Sequence, residues 1–130
     1  NIGCVFLDRT NIKEGFKAIL EGANLIKSGH SMAIFPEGHR NQADKMLNFK
    51  DGSLKMGEKA GCPIIPTALI DTDTLLEQRP GFNIKKGNVK IVFGEPIILS
   101  ELSKEDKRKA GQRVQNIIQN MIDEYKEETK

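Results

Sequence analysis

Short apolar runs and helical stripes alternate along the chain. Ser31-Met32-Ala33-Ile34-Phe35 and Cys4-Val5-Phe6-Leu7 are runs of strand length. Apolar runs of that kind fit strands covered on both faces. Between them Ile12, Phe16, Ile19, Leu20, Ala23 and Ile26 recur at helical spacing. Asn11 and Glu14 stand as in a capping box before this stripe, Lys27 suits its carboxyl end, and Gly29 supplies its stop. The order strand, helix, strand over 3–35 is a βαβ unit, which requires its two strands to be parallel. Both strand ends then point the same way.

Downstream the pattern is more broken. Residues 41–49 are polar and without period, as in a loop. A short helix is predicted over 51–60, where Leu54, Met56 and Ala60 are apolar and Gly61 ends it. Ile64 to Ile70 reads as a covered strand, in which Pro66 demands an edge or bulged position. Residues 71–88 are an irregular connection, followed by a last strand over 88–93. Ser103 and Asp106 form a second capping box ahead of the stripe Ala110, Val114, Ile117, Ile118, Met121, Ile122 and Tyr125, which predicts a helix over 103–126. The fold class expected is α/β, a mostly parallel sheet with flanking helices, in a single domain over 1–130.

Composition narrows the class of function. The formal net charge is +2 and there is no Trp. No basic stripe is interleaved with aromatics, so nucleic acid is not an expected partner. No apolar run reaches the length of a bilayer span and no signal peptide is evident, so the 130-residue chain itself is expected to be soluble. Cys4 and Cys62, the only two cysteines, are expected as buried reduced thiols in an intracellular setting. Asn1 leads almost directly into a strand, from which a domain truncated on its N-terminal side is expected.

Candidate chemistry concentrates where the strands run out. Ile34-Phe35 ends at Pro36-Glu37-Gly38-His39-Arg40, and Phe6-Leu7 ends at Asp8-Arg9. Pro36 cannot donate to a ladder and Gly38 can take φ > 0, so the backbone must turn between them. In a parallel sheet both arginines lie at the carboxyl edge, where ligands sit. Arg9, Arg40, Lys50 and Glu37 would then form an anion-binding pocket with one acceptor, suited to a phosphorylated polyol. On spacing alone, an Arg/Glu pair at such a turn is more often a solvated ion pair. Phosphate-loop, paired metal-carboxylate and nucleophile-elbow patterns are missing from the sequence. The basic turn Lys104, Lys107, Arg108 and Lys109 reads as a solvated helix face, with an anionic leaflet as the alternative.

Val5 to Arg9, Phe35 to Arg40 and Ile64 to Leu69 stand in the order and near the spacing of three signature blocks of the glycerolipid acyltransferases. With Phe49-Lys50-Asp51-Gly52 and Phe93-Gly94-Glu95-Pro96-Ile97, nearly the whole chain resembles the 1-acylglycerol-3-phosphate (lysophosphatidate) acyltransferase family. The resemblance implies a glycerol-3-phosphate acyltransferase-like partial domain from an enzyme of phospholipid biosynthesis. Such an enzyme moves an acyl group from acyl-CoA or acyl-carrier protein, its co-substrates, to lysophosphatidate, with no further cofactor and no metal. It also implies that Arg9, Glu37, Gly38 and Arg40, with Lys50 beside them, bind the acceptor's glycerol phosphate.

The family's general base is a histidine in an His-x-x-x-x-Asp block upstream of the segment matching Val5 to Arg9. His39 and Asp44 fit that pattern literally but lie on the wrong side of the Phe-Pro-Glu-Gly block. They are taken as a chance match, and no catalytic residue is expected in this chain. The same resemblance implies a place on the cytoplasmic side of the membrane, peripheral or anchored through a segment outside these residues. The alternative is a non-catalytic module that binds a lysophospholipid or another phosphorylated ligand without transfer.

Overall fold

The computed structural model describes residues 4–6, 10–39, 41, 45–50, 52–72 and 87–128. Helix α1 spans Ile12–Lys27, α2 spans Lys55–Ala60 and α3 spans Lys104–Glu128. Strands β1 (Thr67–Ile70) and β2 (Lys90–Phe93) form a small sheet, and a 3-10 turn covers Leu99–Glu101 ahead of α3.

The helix ends are where local chemistry places them. The Asn11 side chain accepts from the backbone N–H groups of Lys13 and Glu14 at 3.0 and 3.4 Å. Those are two of the donors a helix start leaves without partners. Gly29, at φ 98, takes the left-handed turn after α1. His30 Nδ1 lies 3.1 Å from Ser28 Oγ and 3.2 Å from the Leu25 carbonyl, which fixes it as a turn residue. At α3, the Asp106 N–H donates to Ser103 Oγ at 3.1 Å, and that hydroxyl donates to Asp106 Oδ2 at 2.7 Å.

Packing centres on α3. Ile97, Leu99, Ala110 and Val114 are buried together, with Phe49, Leu54, Ile64, Leu102, Ile117 and Ile118 packed around them. The same helix covers β1, where Ala68 and Ile70 are buried. Helices α1 and α2 pack side by side, with Gly22 pressed against the Met56 thioether. A Cβ on Gly57 would meet Ile64 Cγ1 at 3.0 Å, so a side chain there would separate α2 from the segment that follows it.

The sheet departs from the expected parallel arrangement. β1 and β2 pair antiparallel, Thr67 opposite Phe93 through Ile70 opposite Lys90. The pairing resumes as an isolated antiparallel bridge between Ile64 and Ile97, which exchange two backbone hydrogen bonds of 2.8 Å. Between these pairings Ile65 and Pro66 lie opposite Gly94, Glu95 and Pro96, so one side carries an extra residue. Pro66 has no N–H to give, but its carbonyl accepts from the Gly94 N–H at 2.8 Å.

Residues 4–6 and 31–35, expected as the parallel strands, belong to no ladder among the described residues. Phe6 is 90% exposed and Phe35 73% exposed, so among the described residues little covers these two side chains, while Val5 and Met32 are half-buried. Cys4, expected buried, is exposed, whereas Cys62 is half-buried; both are free thiols.

Candidate functional site

Phe35 to Gly38 closes a turn in which the Gly38 N–H donates to the Phe35 carbonyl at 3.1 Å. Gly38 sits at φ 82, a conformation that costs an L-residue about 1–2 kcal/mol. The turn demanded by Pro36 and Gly38 is thus present. It is held from outside by the Lys50 N–H, which donates to the Pro36 carbonyl at 2.9 Å.

The same contact brings the Lys50 side chain over the turn. A Cβ on Gly38 would stand 3.2 Å from Lys50 Cγ and 3.5 Å from Cε. Glycine at this position therefore does two things: it permits the left-handed backbone and it leaves room for a lysine stem. The stem lies along the turn while Lys50 as a whole stays exposed, an arrangement that keeps an ammonium group in water beside the motif.

Glu37 is half-buried and faces the loop that follows. Its Oε2 accepts from Asn41 Nδ2 at 3.0 Å and from the Leu47 backbone N–H at 2.8 Å. Asn41 Nδ2 also donates to the Lys45 carbonyl at 2.7 Å. The carboxylate thus ties Asn41 and Leu47 to the turn. Sequence reasoning singled out Glu37 but missed Asn41, because a side chain four residues away on an aperiodic loop carries no pattern. Phe49 ties the same region to α3, donating its N–H to Gln115 Oε1 at 3.4 Å.

The structure therefore brings together Glu37, Gly38 and Lys50. Arg9 and Arg40 lie outside the described residues, as does Asp44. His39 is exposed. Among the described residues no cluster of His, Cys, Asp and Glu could hold a metal ion. No helix among them is long and apolar enough to cross a membrane. Chemically, the arrangement offers a cation over a glycine turn, beside a carboxylate already engaged with Asn41 and the Leu47 N–H.

Comparison with known proteins gives this site a family. A 1-acyl-sn-glycerol-3-phosphate acyltransferase of Borreliella burgdorferi is 33% identical over 109 residues, 81% of this chain and 43% of that protein. One from Saccharomyces cerevisiae is 30% identical over 129 residues, 96% of this chain and 41% of the yeast protein. The crystal structure of the 1-acyl-sn-glycerophosphate (LPA) acyltransferase PlsC of Thermotoga maritima superposes with a TM-score of 0.71 at 26% identity, covering 86% of this chain and 45% of that one. The chain thus spans less than half the length of these relatives. The family model described as Acyltransferase matches residues 1–70, a range that includes the Phe35–Gly38 turn and Lys50, and the chain belongs to that family.

Proposed function

We propose that this chain is the glycerol-phosphate-binding part of a lysophosphatidate acyltransferase of phospholipid biosynthesis. The enzyme moves an acyl group from acyl-CoA or acyl-carrier protein to the free hydroxyl of 1-acylglycerol 3-phosphate. One observation carries the proposal: Lys50 lies over the left-handed Gly38 of the Phe35–Gly38 turn, so a cation is placed on the motif that the family resemblance assigns to the acceptor. Arg9, Arg40 and Glu37 complete the phosphate site in this proposal, and Glu37 also accepts from the Leu47 N–H. The named activity of the relatives supports the reaction type.

The domain is completed by chain outside these 130 residues, in keeping with relatives of which the matched region is less than half. That part carries the His-x-x-x-x-Asp base and pairs with 4–6 and 31–35 in a mostly parallel sheet, covering Phe6, Ile34 and Phe35. Since the acceptor is a membrane lipid, the enzyme works at the cytoplasmic membrane surface, peripherally or through an anchor in that additional part.

The test is acyl transfer to lysophosphatidate from an acyl-CoA. The 130-residue chain should show no turnover, while a longer version with an upstream His-x-x-x-x-Asp should show it. An acceptor hydroxyl needs a positioned base, worth typically ~10²–10⁴-fold. Turnover by the 130-residue chain that is abolished by His39→Ala would overturn this assignment and make His39 and Asp44 the base.

A further inference from the structure

We propose that a basic cleft between residues 48–50 and 52–55 and the first turns of α3 receives the phosphates of the coenzyme A donor. The proposal rests on the acyltransferase function argued above and extends it to the second substrate. The cleft, open to solvent on one side, has a volume of about 430 Å³, within the range of small-molecule sites. Among the described residues Lys50, Lys55, Lys107 and Arg108 line it against one carboxylate, Glu58. That carboxylate is already engaged, since Lys55 Nζ donates to Glu58 Oε2 at 2.9 Å. Among the described residues no salt bridge engages Lys50, Lys107 or Arg108. The lining thus keeps a positive excess that a polyanion would neutralise.

Shape and position select the ligand. Lys107 is half-buried and core residues Leu99 and Ala110 line the same cleft, while Lys50, Lys55 and Arg108 are exposed, so the charges rim an open cleft with an apolar floor. Lys50 belongs both to the cleft and to the Gly38 turn, which places the cleft directly beside the proposed acceptor site. A two-substrate transferase requires its donor to lie next to its acceptor. Coenzyme A carries a diphosphate and a 3′-phosphate, matching several cations, whereas the arm of a carrier protein brings a single phosphodiester.

The test is calorimetry on the 130-residue chain with coenzyme A, dephospho-coenzyme A and glycerol 3-phosphate as separate titrants. A K107A/R108A variant should weaken coenzyme A at least tenfold, and loss of the 3′-phosphate should weaken it in the unaltered chain. A K104A/K109A variant, altered on the same turn at residues that do not line the cleft, should stay within twofold. Circular dichroism should show both variants folded, since Lys107 is only half-buried and the other three positions are exposed. Coenzyme A affinity unchanged in K107A/R108A, or no coenzyme A binding by the folded chain, would overturn the proposal. So would a K107A/R108A variant that loses binding to phosphatidylglycerol vesicles but keeps coenzyme A. Glycerol 3-phosphate separates the two sites: a chain that binds coenzyme A but not glycerol 3-phosphate retains the cleft and loses the acceptor assignment, and the reverse result does the opposite.

Discussion

Glu37 ties its own turn to residues further along the chain. Its Oε2 holds Asn41 and the Leu47 N–H, so Glu37→Ala takes the acceptor from the Leu47 N–H, while Asn41 Nδ2 keeps the Lys45 carbonyl. A cost of about 1–3 kcal/mol is expected where such a group is shielded from water. Hydrogen exchange at the Leu47 amide should accelerate in that variant, whereas Glu37→Gln, which keeps an acceptor oxygen, should largely preserve protection. Gly38→Ala combines about 1–2 kcal/mol of backbone strain at φ 82 with a Cβ 3.2 Å from Lys50 Cγ. Thermal unfolding should register the strain, and glycerol 3-phosphate calorimetry should register displacement of Lys50. The sequence pointed to Glu37, Gly38 and Lys50 through residue chemistry. Asn41 was illegible because nothing in a polar loop states which side chain turns back.

Helices were the most legible elements. The stripe from Ala110 to Tyr125 is the face α3 turns inward, and Ser103 caps it as its spacing with Asp106 predicts. Ser103→Ala should cost about 1 kcal/mol in chemical denaturation, the usual worth of such a cap. The stripe of α1 was only half informative: Ala23 is buried, but Ile12 is 92% exposed. Periodicity identifies an apolar face without saying whether anything covers it.

Helix α2 carries a pH-dependent contribution. The Lys55 hydrogen bond, with smaller help from nearby lysines, holds the Glu58 carboxyl below its ordinary range. A carboxylate whose folded pKa is lowered stabilises the fold above its unfolded pKa, and that contribution fades as pH falls through the folded value. The Glu58 side chain keeps 33% of its surface exposed, so the effect is that of a solvent-screened pair, below about 1 kcal/mol. Glu58→Gln should therefore lower stability slightly at pH 7, and its difference from the parent in denaturation should shrink as the pH is lowered through the carboxylate range.

At the scale of the molecule, the sequence supplied the strands better than their directions. Thr67–Ile70 and Lys90–Phe93 lie where apolar runs were seen, yet they pair antiparallel across a long connection. An apolar run reports that a strand is wanted, but the orientation of its neighbour depends on distant chain. Leu69, Ile91 and Phe93 share the sheet face turned away from α3, and Phe93 is 71% exposed. Ile91→Thr and Phe93→Thr should each alter stability of this chain by no more than about 0.5 kcal/mol, as at other surface positions. In a longer version that covers this face, the same changes should cost more, which paired melting curves would reveal.

The extra residue opposite Ile65 and Pro66 makes that stretch tolerant of a change in chain length. Ile97 faces the core and pairs with Ile64 although it lies five residues beyond Val92, which pairs with Ala68 on the inward face. Five steps of strict alternation would turn Ile97 outward; the surplus residue reverses that parity. Deleting Glu95 leaves four steps, so Ile97 still faces inward and can exchange its two hydrogen bonds with Ile64. A one-residue deletion here should thus leave the protein folded, whereas a deletion within Lys90–Phe93 moves the downstream pairing out of phase. Divergent copies of this gene would be expected to vary in length at 94–96 before they vary within either strand.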